Sequence, residues 1–228
     1  GMNSYKAQTR LVGFFFRVNY DYKKKYFLMA SLRHEGSSKF GSENKWGSFP
    51  AVSGGWNIAR EPFMDSFDFL THLKLRGGYG VTGTAPSSPY QSIPQLSLGS
   101  TVFLNGQWIS PAIPSSNPNP YLKWERKKEY NVGLDLGFFE DRLHFTADYY
   151  QRKTEGLIWN YTVHKPPYLY DNILANAGSI ENKGLELSVM GSPIESDEFT
   201  WQSTLNFSSN KNNVVSLQGD VFQVEGGF

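Results

Sequence analysis

Four histidines, two glutamates and a glycine-spaced run are the groups in this 228-residue sequence that could carry chemistry. His34, His72, His144 and His164 are scattered, with no His-x-x-x-His pair and no carboxylate at ligand spacing. A metal site is therefore not written locally. Cysteine is absent, which removes disulfides and Cys-ligated metals. Glu125 and Glu129 fall on one face of an extended segment. At ~3.3 Å per residue they stand ~13 Å apart, beyond the usual separation of glycosidase carboxylates. Gly78-Tyr79-Gly80-Val81-Thr82-Gly83 has the spacing of a dinucleotide fingerprint and follows a strand-like run. That chemistry needs a helix next, to hold a pyrophosphate at its N-terminus. Thr84-Ala85-Pro86-Ser87-Ser88-Pro89 follows instead and cannot start one. Glycines that let a strand curve or bulge are the expected reading. No Ser/His/Asp arrangement has a local signature, so the chain reads as a non-enzyme without a cofactor. Five aromatics, Tyr90, Trp108, Trp159, Tyr168 and Tyr170, remain as candidate contacts. On surface loops they could stack on sugar faces or meet a partner protein, and could equally pack the loops on each other.

Charge is nearly balanced, with 22 Lys+Arg against 21 Asp+Glu, and the one triple lysine is Lys23-Lys24-Lys25. A nucleic-acid partner is not expected from so even a distribution, and a solvated turn accounts for the lysines. The aromatic fraction is 16%, yet mean hydropathy is -0.45. No stretch approaches the ~18 to 20 apolar residues of a membrane helix, which excludes a helical membrane protein. A transmembrane β-barrel is not excluded, because its strands alternate polar and apolar and average out as hydrophilic.

The elements that would position these residues have a period close to two. Val12, Phe14, Phe16 and Val18 alternate with Gly13, Phe15, Arg17 and Asn19. Leu134 and Leu136 alternate with Gly133 and Asp135, and Leu185 and Leu187 with Glu186. Eight such segments are expected to form strands near the ~9 to 11 residues that cross a bilayer at a tilt. The one helical candidate is 61–70, with Pro62 in its first turn. Short connections at 21–25, 139–142 and 191–198, and a somewhat longer one at 60–70, alternate with long ones at 36–45, 84–121 and 155–178. The long ones are rich in Gly, Ser, Pro and Asn, which favours loops over hidden strands. Short turns on one side and long loops on the other is the outer-membrane barrel pattern. Tyr20, Tyr22 and Tyr26, Phe138 and Phe139, and Phe199 and Trp201 gather at the short turns, as an interfacial girdle would. The fold class is all-β: an up-and-down antiparallel meander of about eight strands forming a segment of barrel wall. Val12, Phe14, Phe16, Val18, Leu28, Leu32, Leu134, Leu136 and Leu187 should share its lipid face. Arg17, Glu35, Arg76, Asp135, Asp148 and Glu186 should share the wet one.

Several blocks, in order, resemble the SusC/RagA outer-membrane proteins. They include Asn19-Tyr20-Asp21-Tyr22, Leu32-Arg33-His34-Glu35-Gly36-Ser37-Ser38-Lys39-Phe40-Gly41 and Trp46-Gly47-Ser48-Phe49-Pro50. Further on come Glu61-Pro62-Phe63, Leu73-Lys74-Leu75-Arg76-Gly77-Gly78-Tyr79-Gly80, Asn117-Pro118-Asn119-Pro120 before Leu122-Lys123-Trp124-Glu125, and Asn176-Ala177-Gly178-Ser179-Ile180-Glu181-Asn182-Lys183-Gly184. The run spans nearly the whole chain. His34-Glu35 and Gly77-Gly78 are small departures from the family pattern.

The resemblance implies an N-terminal plug inside a barrel of about 22 strands. It makes residues 1–228 a partial barrel without its plug, with Gly1 expected to be an expression scar. It implies bacterial outer-membrane localisation and TonB-dependent import of a glycan or, second, a peptide. The implied partners are a SusD-like surface lipoprotein, the TonB complex through the plug, and outer-membrane lipid. Two other readings are a complete eight-stranded barrel with a structural or adhesive role, and a soluble β-sandwich.

Overall fold

A computed structural model describes residues 6–217. Along the chain come β1 (Leu11–Tyr22), β2 (Tyr26–Ser37), β3 (Trp46–Asn57) and β4 (Leu70–Thr84). Four three-residue strands follow: β5 (Leu96–Leu98), β6 (Val102–Leu104), β7 (Gln107–Ile109) and β8 (Ala112–Pro114). Then come β9 (Glu125–Phe138), β10 (Leu143–Glu155), β11 (Ile158–Thr162), β12 (Asn172–Asn176), β13 (Ser179–Glu195) and β14 (Thr200–Ser216). The eight long strands form one antiparallel sheet in the order β1-β2-β3-β4-β9-β10-β13-β14. Each long strand pairs with the next one in the chain, so the meander expected from the periodicity is what forms.

The register sorts the faces. Tyr22, Tyr26, Trp56, Leu75, Leu134, Ala147, Leu187 and Phe207 are directly opposed in one row across all eight strands. The adjoining row, one residue over, reads Asp21, Phe27, Gly55, Arg76, Gly133, Asp148, Glu186 and Ser208. Successive side chains alternate between faces, so the first row is on the apolar face and the second on the polar one. All nine residues expected on the apolar face lie there, and all six expected opposite lie opposite. A one-residue slip would exchange the two rows.

Among the described residues no second layer covers the apolar face. Phe14 and Phe16 are 64% and 66% exposed, and the buried apolar residues lie elsewhere. A soluble sandwich would bury this face, so that reading fails. The described sheet also does not close, because β1 and β14 each pair on one side only. The structure therefore gives no closed eight-stranded barrel. Phe40, Phe49, Val81, Leu122 and Trp124 form the main core cluster at the long-loop end, among β3, β4 and the loops beside them.

Three expectations are corrected. The long strands run to between 12 and 17 residues, beyond the bilayer-crossing minimum, because they continue into the long-loop end. The segment 61–70 holds only one 3-10 turn, Pro62–Met64, and a second precedes it at Ile58–Arg60. A short helix gains too few hydrogen bonds to offset its nucleation, and the twelve residues between β3 and β4 hold two separate 3-10 turns instead. The run Gly78 to Gly83 precedes no helix, as expected, but of a curve and a bulge the bulge does not form, since β4 pairs with β9 without a shift from His72 to Thr84. Those glycines provide space instead: a Cβ on Gly83 would lie 2.2 Å from the Phe49 ring.

At the short-turn end the aromatics stack in sequence, Tyr22 on Tyr26 and Tyr26 on Trp56, each at 6.4 Å. Phe69 meets Phe138 at 6.4 Å on the next turn pair. A second group, Phe14 on Trp46 and Tyr79 on Tyr130, lies towards the long loops. Phe14 and Tyr22 are about 27 Å apart along β1, or roughly 20 Å of height at the usual tilt, close to the apolar band of outer-membrane barrels.

Leu134→Arg in the intact membrane protein should cost about 2 to 4 kcal/mol if its face meets mid-bilayer lipid. Urea unfolding in vesicles measures this, and an unchanged midpoint would count against a lipid face. An epitope inserted beside Ser115 should label on whole cells and one between Lys23 and Lys24 should not. Equal labelling of the two would overturn the sidedness.

Candidate functional site

The polar face is a wall of long side chains laid over glycines. Arg76 lies across Gly133, where an added Cβ would come within 2.5 Å of its guanidinium carbon. From there Arg76 Nε donates to Asp135 at 3.0 Å and Nη2 donates to Asp148 at 2.7 Å. Tyr150 covers Gly184 and Asn131 covers Gly78 in the same manner, with contacts of 2.5 and 2.7 Å to the absent Cβ. Lys74 reaches over Phe27 at 5.0 Å and lies beside Gly55. A depression of about 400 Å³ opens between Asn19, Phe27, Ser53, Lys74 and Arg76.

The catalytic candidates disperse. Glu129 is held by Arg152 at 2.8 Å, while Glu125 accepts the Ile158 N–H at 3.0 Å. Their roles are an ion pair in the wall and a loop anchor. His34 stacks on Trp46 at 4.9 Å and bonds Ser48 Oγ at 2.9 Å. Among the described residues no group of three His, Asp or Glu side chains could hold a metal.

At the long-loop end three asparagines rivet one loop to another. Asn117 donates from Nδ2 to the carbonyls of Tyr170 and Asn172, at 2.6 and 2.8 Å. Its Oδ1 accepts the N–H groups of Leu169 and Tyr170, at 3.1 and 3.2 Å. Every strong hydrogen-bonding position of that buried amide is used. Asn119 donates to the Leu174 carbonyl at 2.9 Å. Asn176 exchanges both bonds with the Lys123 backbone, at 2.8 and 2.7 Å. Beneath them Leu122 is fully buried, and Trp124 Nε1 donates to the Lys45 carbonyl at 3.1 Å.

The loops also contain strands, contrary to the composition-based expectation. β5 pairs with β8 and β6 with β7, so 96–114 is one interrupted hairpin. Its tip is Asn105-Gly106, both at positive φ as a primed two-residue turn requires. β11 pairs with β12 in the next loop. The Asn-Gly dipeptide was the signal for the first hairpin.

The five loop aromatics have different neighbours. Trp108 is on the 96–114 hairpin, 71% exposed and 5.2 Å from Phe103. Trp159 is exposed on β11. Tyr170 donates its hydroxyl to the Pro114 carbonyl and so fastens the two loops. Tyr90, half-buried, accepts the Gln8 N–H at 2.9 Å. Tyr168 is half-buried, with its N–H bonded to the His164 carbonyl at 3.4 Å.

At the opposite end Glu61 gathers the aromatic stack. It accepts from Tyr26 Oη at 2.6 Å, Trp56 Nε1 at 3.1 Å and Lys25 Nζ at 3.0 Å. The Tyr26 hydroxyl, then the Trp56 and Lys25 donors, hold its carboxyl down at about 2. The Glu61-Pro62-Phe63 motif was visible in the sequence, but its three donors come from β2, β3 and the first turn and could not be read locally.

A polar wall, an apolar outer face and one-sided long loops describe part of an outer-membrane barrel. Comparison with known proteins agrees: the family model described as TonB dependent receptor-like, beta-barrel matches residues 1–223. The chain belongs to the TonB-dependent receptor β-barrel family. Members of this family are proteins of the bacterial outer membrane. The chain is 39% identical over 212 residues to TonB-dependent receptor P39 of Formosa agariphila, covering 93% of the chain and 20% of that protein. It is 32% identical over 219 residues to TonB-dependent receptor SusC of Bacteroides thetaiotaomicron, covering 95% and 22%. Among solved structures, the RagAB peptide importer in its open-open state superposes with a TM-score of 0.83 at 28% identity, covering 92% of the chain and 22% of the matched one. The chain thus spans about a fifth of the length of these receptors.

Asn117→Ala should loosen the two receptor loops locally by about 1 to 3 kcal/mol, since the Leu169 and Tyr170 N–H groups lose their acceptor. Hydrogen exchange at 165–175 should accelerate while the wall strands stay protected. For Glu61 the folded pKa is depressed, so its contribution is fully present above the ordinary value of 4.5 and is lost as pH falls towards 2. Glu61→Gln should lower the melting temperature at neutral pH and flatten its decline across that acid window. A variant that keeps the wild-type acid profile would show that Glu61 does not set it.

Proposed function

We propose that the protein containing this wall imports a glycan across the outer membrane, driven by TonB through a plug inside the barrel, with a SusD-like surface lipoprotein at its mouth. The observation that carries the reading is the likeness to SusC over 95% of the chain, in a fold whose long loops are all on one side. A peptide cargo is the second reading, favoured by the superposition on the RagAB peptide importer. Rings on the long loops suit either cargo, and Trp108 and Trp159 are the most open of the five. Tyr90, Tyr168 and Tyr170 are proposed as supports or contacts beside them.

Transcript profiling of the source organism on a glycan panel should identify an inducing glycan, and a deletion strain should then fail to grow on it. Induction by a peptide mixture alone, with growth on every glycan intact, would move the assignment to the second reading. Trp108→Ala together with Trp159→Ala should weaken cargo binding about tenfold or more if both rings stack on cargo, taking about 1 to 3 kcal/mol per stacked aromatic by analogy with base stacking. Equilibrium binding to the intact receptor is the measurement, and unchanged affinity would reduce both rings to loop packing.

A further inference from the structure

The polar wall is divided by charge along its height. The row Asn19, Met29, Ser53, Gly78, Asn131, Tyr150, Gly184, Asn210 carries no formal charge and separates two halves. Towards the short turns, Asp21, Asp135, Asp148 and Glu186 outnumber Lys74 and Arg76. Towards the long loops the sign reverses: among the described residues of the strands' polar face, Arg17, Arg33, Lys127 and Arg152 stand with Glu35, Glu125 and Glu129, and Lys39 from the adjoining loop lines the same space.

Hydrogen bonding sharpens the excess. Arg33 is neutralised by Glu35 at 2.7 Å and Arg152 by Glu129 at 2.8 Å, which leaves Glu125, a carboxylate that accepts only a backbone N–H, as the one unneutralised acid against three cations. Arg17, Lys39 and Lys127 have no carboxylate partner among the described residues. Lys39 is fixed in place: its ammonium donates to the carbonyls of Pro86 and Ser87 at 2.7 and 2.8 Å, leaving one N–H unspent. Two adjoining depressions open here, of about 450 and about 220 Å³. Lys39 lines one, Lys127 lines the other, and Ala51 and Thr82 line both.

We propose that this long-loop half of the wall, around Lys39 and Lys127, binds an anionic group, a carboxylate or sulfate, on the imported glycan. The proposal rests on the glycan-import reading above. A cation already ordered by two carbonyls loses little freedom on binding, and charge-assisted bonds to an oxyanion are the strong ones. A wall of one sign concentrates ligand of the opposite sign in front of it. The acidic half beyond the neutral row opposes deeper entry, so the anion stops near the mouth. Ser31 and Thr82 offer hydroxyls to the same space.

The test uses the full-length receptor in detergent and two pairs of probes that differ only in charge. One pair is an oligogalacturonate and its methyl ester; the other is a chondroitin sulfate oligosaccharide and its desulfated form. Wild-type receptor should bind at least one acidic probe about tenfold more tightly than its neutral twin, with the preference falling as salt rises. K39Q/K127Q should lose that preference while binding the neutral twin as before, and K39R/K127R should retain it. A wild-type receptor without preference, binding of neither acidic glycan nor of an oligoglutamate peptide, or a preference that survives in K39Q/K127Q overturns the proposal. So does loss of neutral-probe binding or of the folded barrel's gel mobility in K39Q/K127Q, which would assign the lysines to packing. An oligoglutamate peptide, bound in place of the glycans and lost in the same variant, would keep the anion subsite and sink the glycan reading instead.

Discussion

A strand that crosses hydrocarbon must give each of its N–H and C=O groups a partner on a neighbouring strand, because lipid offers none. That constraint fixes the continuous antiparallel ladder from β1 to β14, and the ladder in turn fixes the register. Once the register is set, every side chain has a face. Leu75 and Leu134 are bound to point one way, and Arg76 and Asp148 the other. The outer face needs only to be apolar, so it tolerates Leu, Val, Phe and Tyr without a fitted core. Among the described residues fitted packing gathers at the long-loop end, where Phe49 of β3 meets Phe40, Leu122 and Trp124 from the loops.

The two ends of the wall solve different problems. At three of the four short-side connections the backbone reverses within three or four residues, and at the first of them Lys23 and Lys24 accept positive φ to do so. Glu61 then binds the polar tips of Tyr26 and Trp56, so the rings face lipid while their heteroatoms are satisfied. At the long loops, distance from lipid permits irregular backbone, and the chain must satisfy it with its own amides. Asn117, Asn119 and Asn176 do this where a ladder cannot reach.

The period-two alternation made the eight wall strands and their faces legible, because burial on one side only leaves a mark at every second residue. The same logic failed for β5 to β8, which are exposed on both sides and carry no alternation. Asn105-Gly106 marked their tip, yet Pro, Ser and Gly around it outweighed that signal. The ion pairs of the wall were invisible for another reason: Arg76 and Asp148 are 72 positions apart and meet only through two intervening registers. The family resemblance named Glu61-Pro62-Phe63 and Asn117-Pro118-Asn119-Pro120 as blocks without saying what they bond. The loop aromatics were found as residues, and the structure distributes them across both loops.

The glycines under Arg76, Tyr150 and Asn131 have a mechanical result. A long side chain projecting into a channel behaves as a flexible bristle, which a passing chain must push aside and immobilise. Laid flat in a trough that a Cβ would fill, the same side chain has already lost its rotational freedom during folding. What it offers to anything sliding past is the flank of a ring or guanidinium at fixed height. The bore is thereby smoothed, and its resistance to traffic is set by charge rather than by the entropy of loose ends.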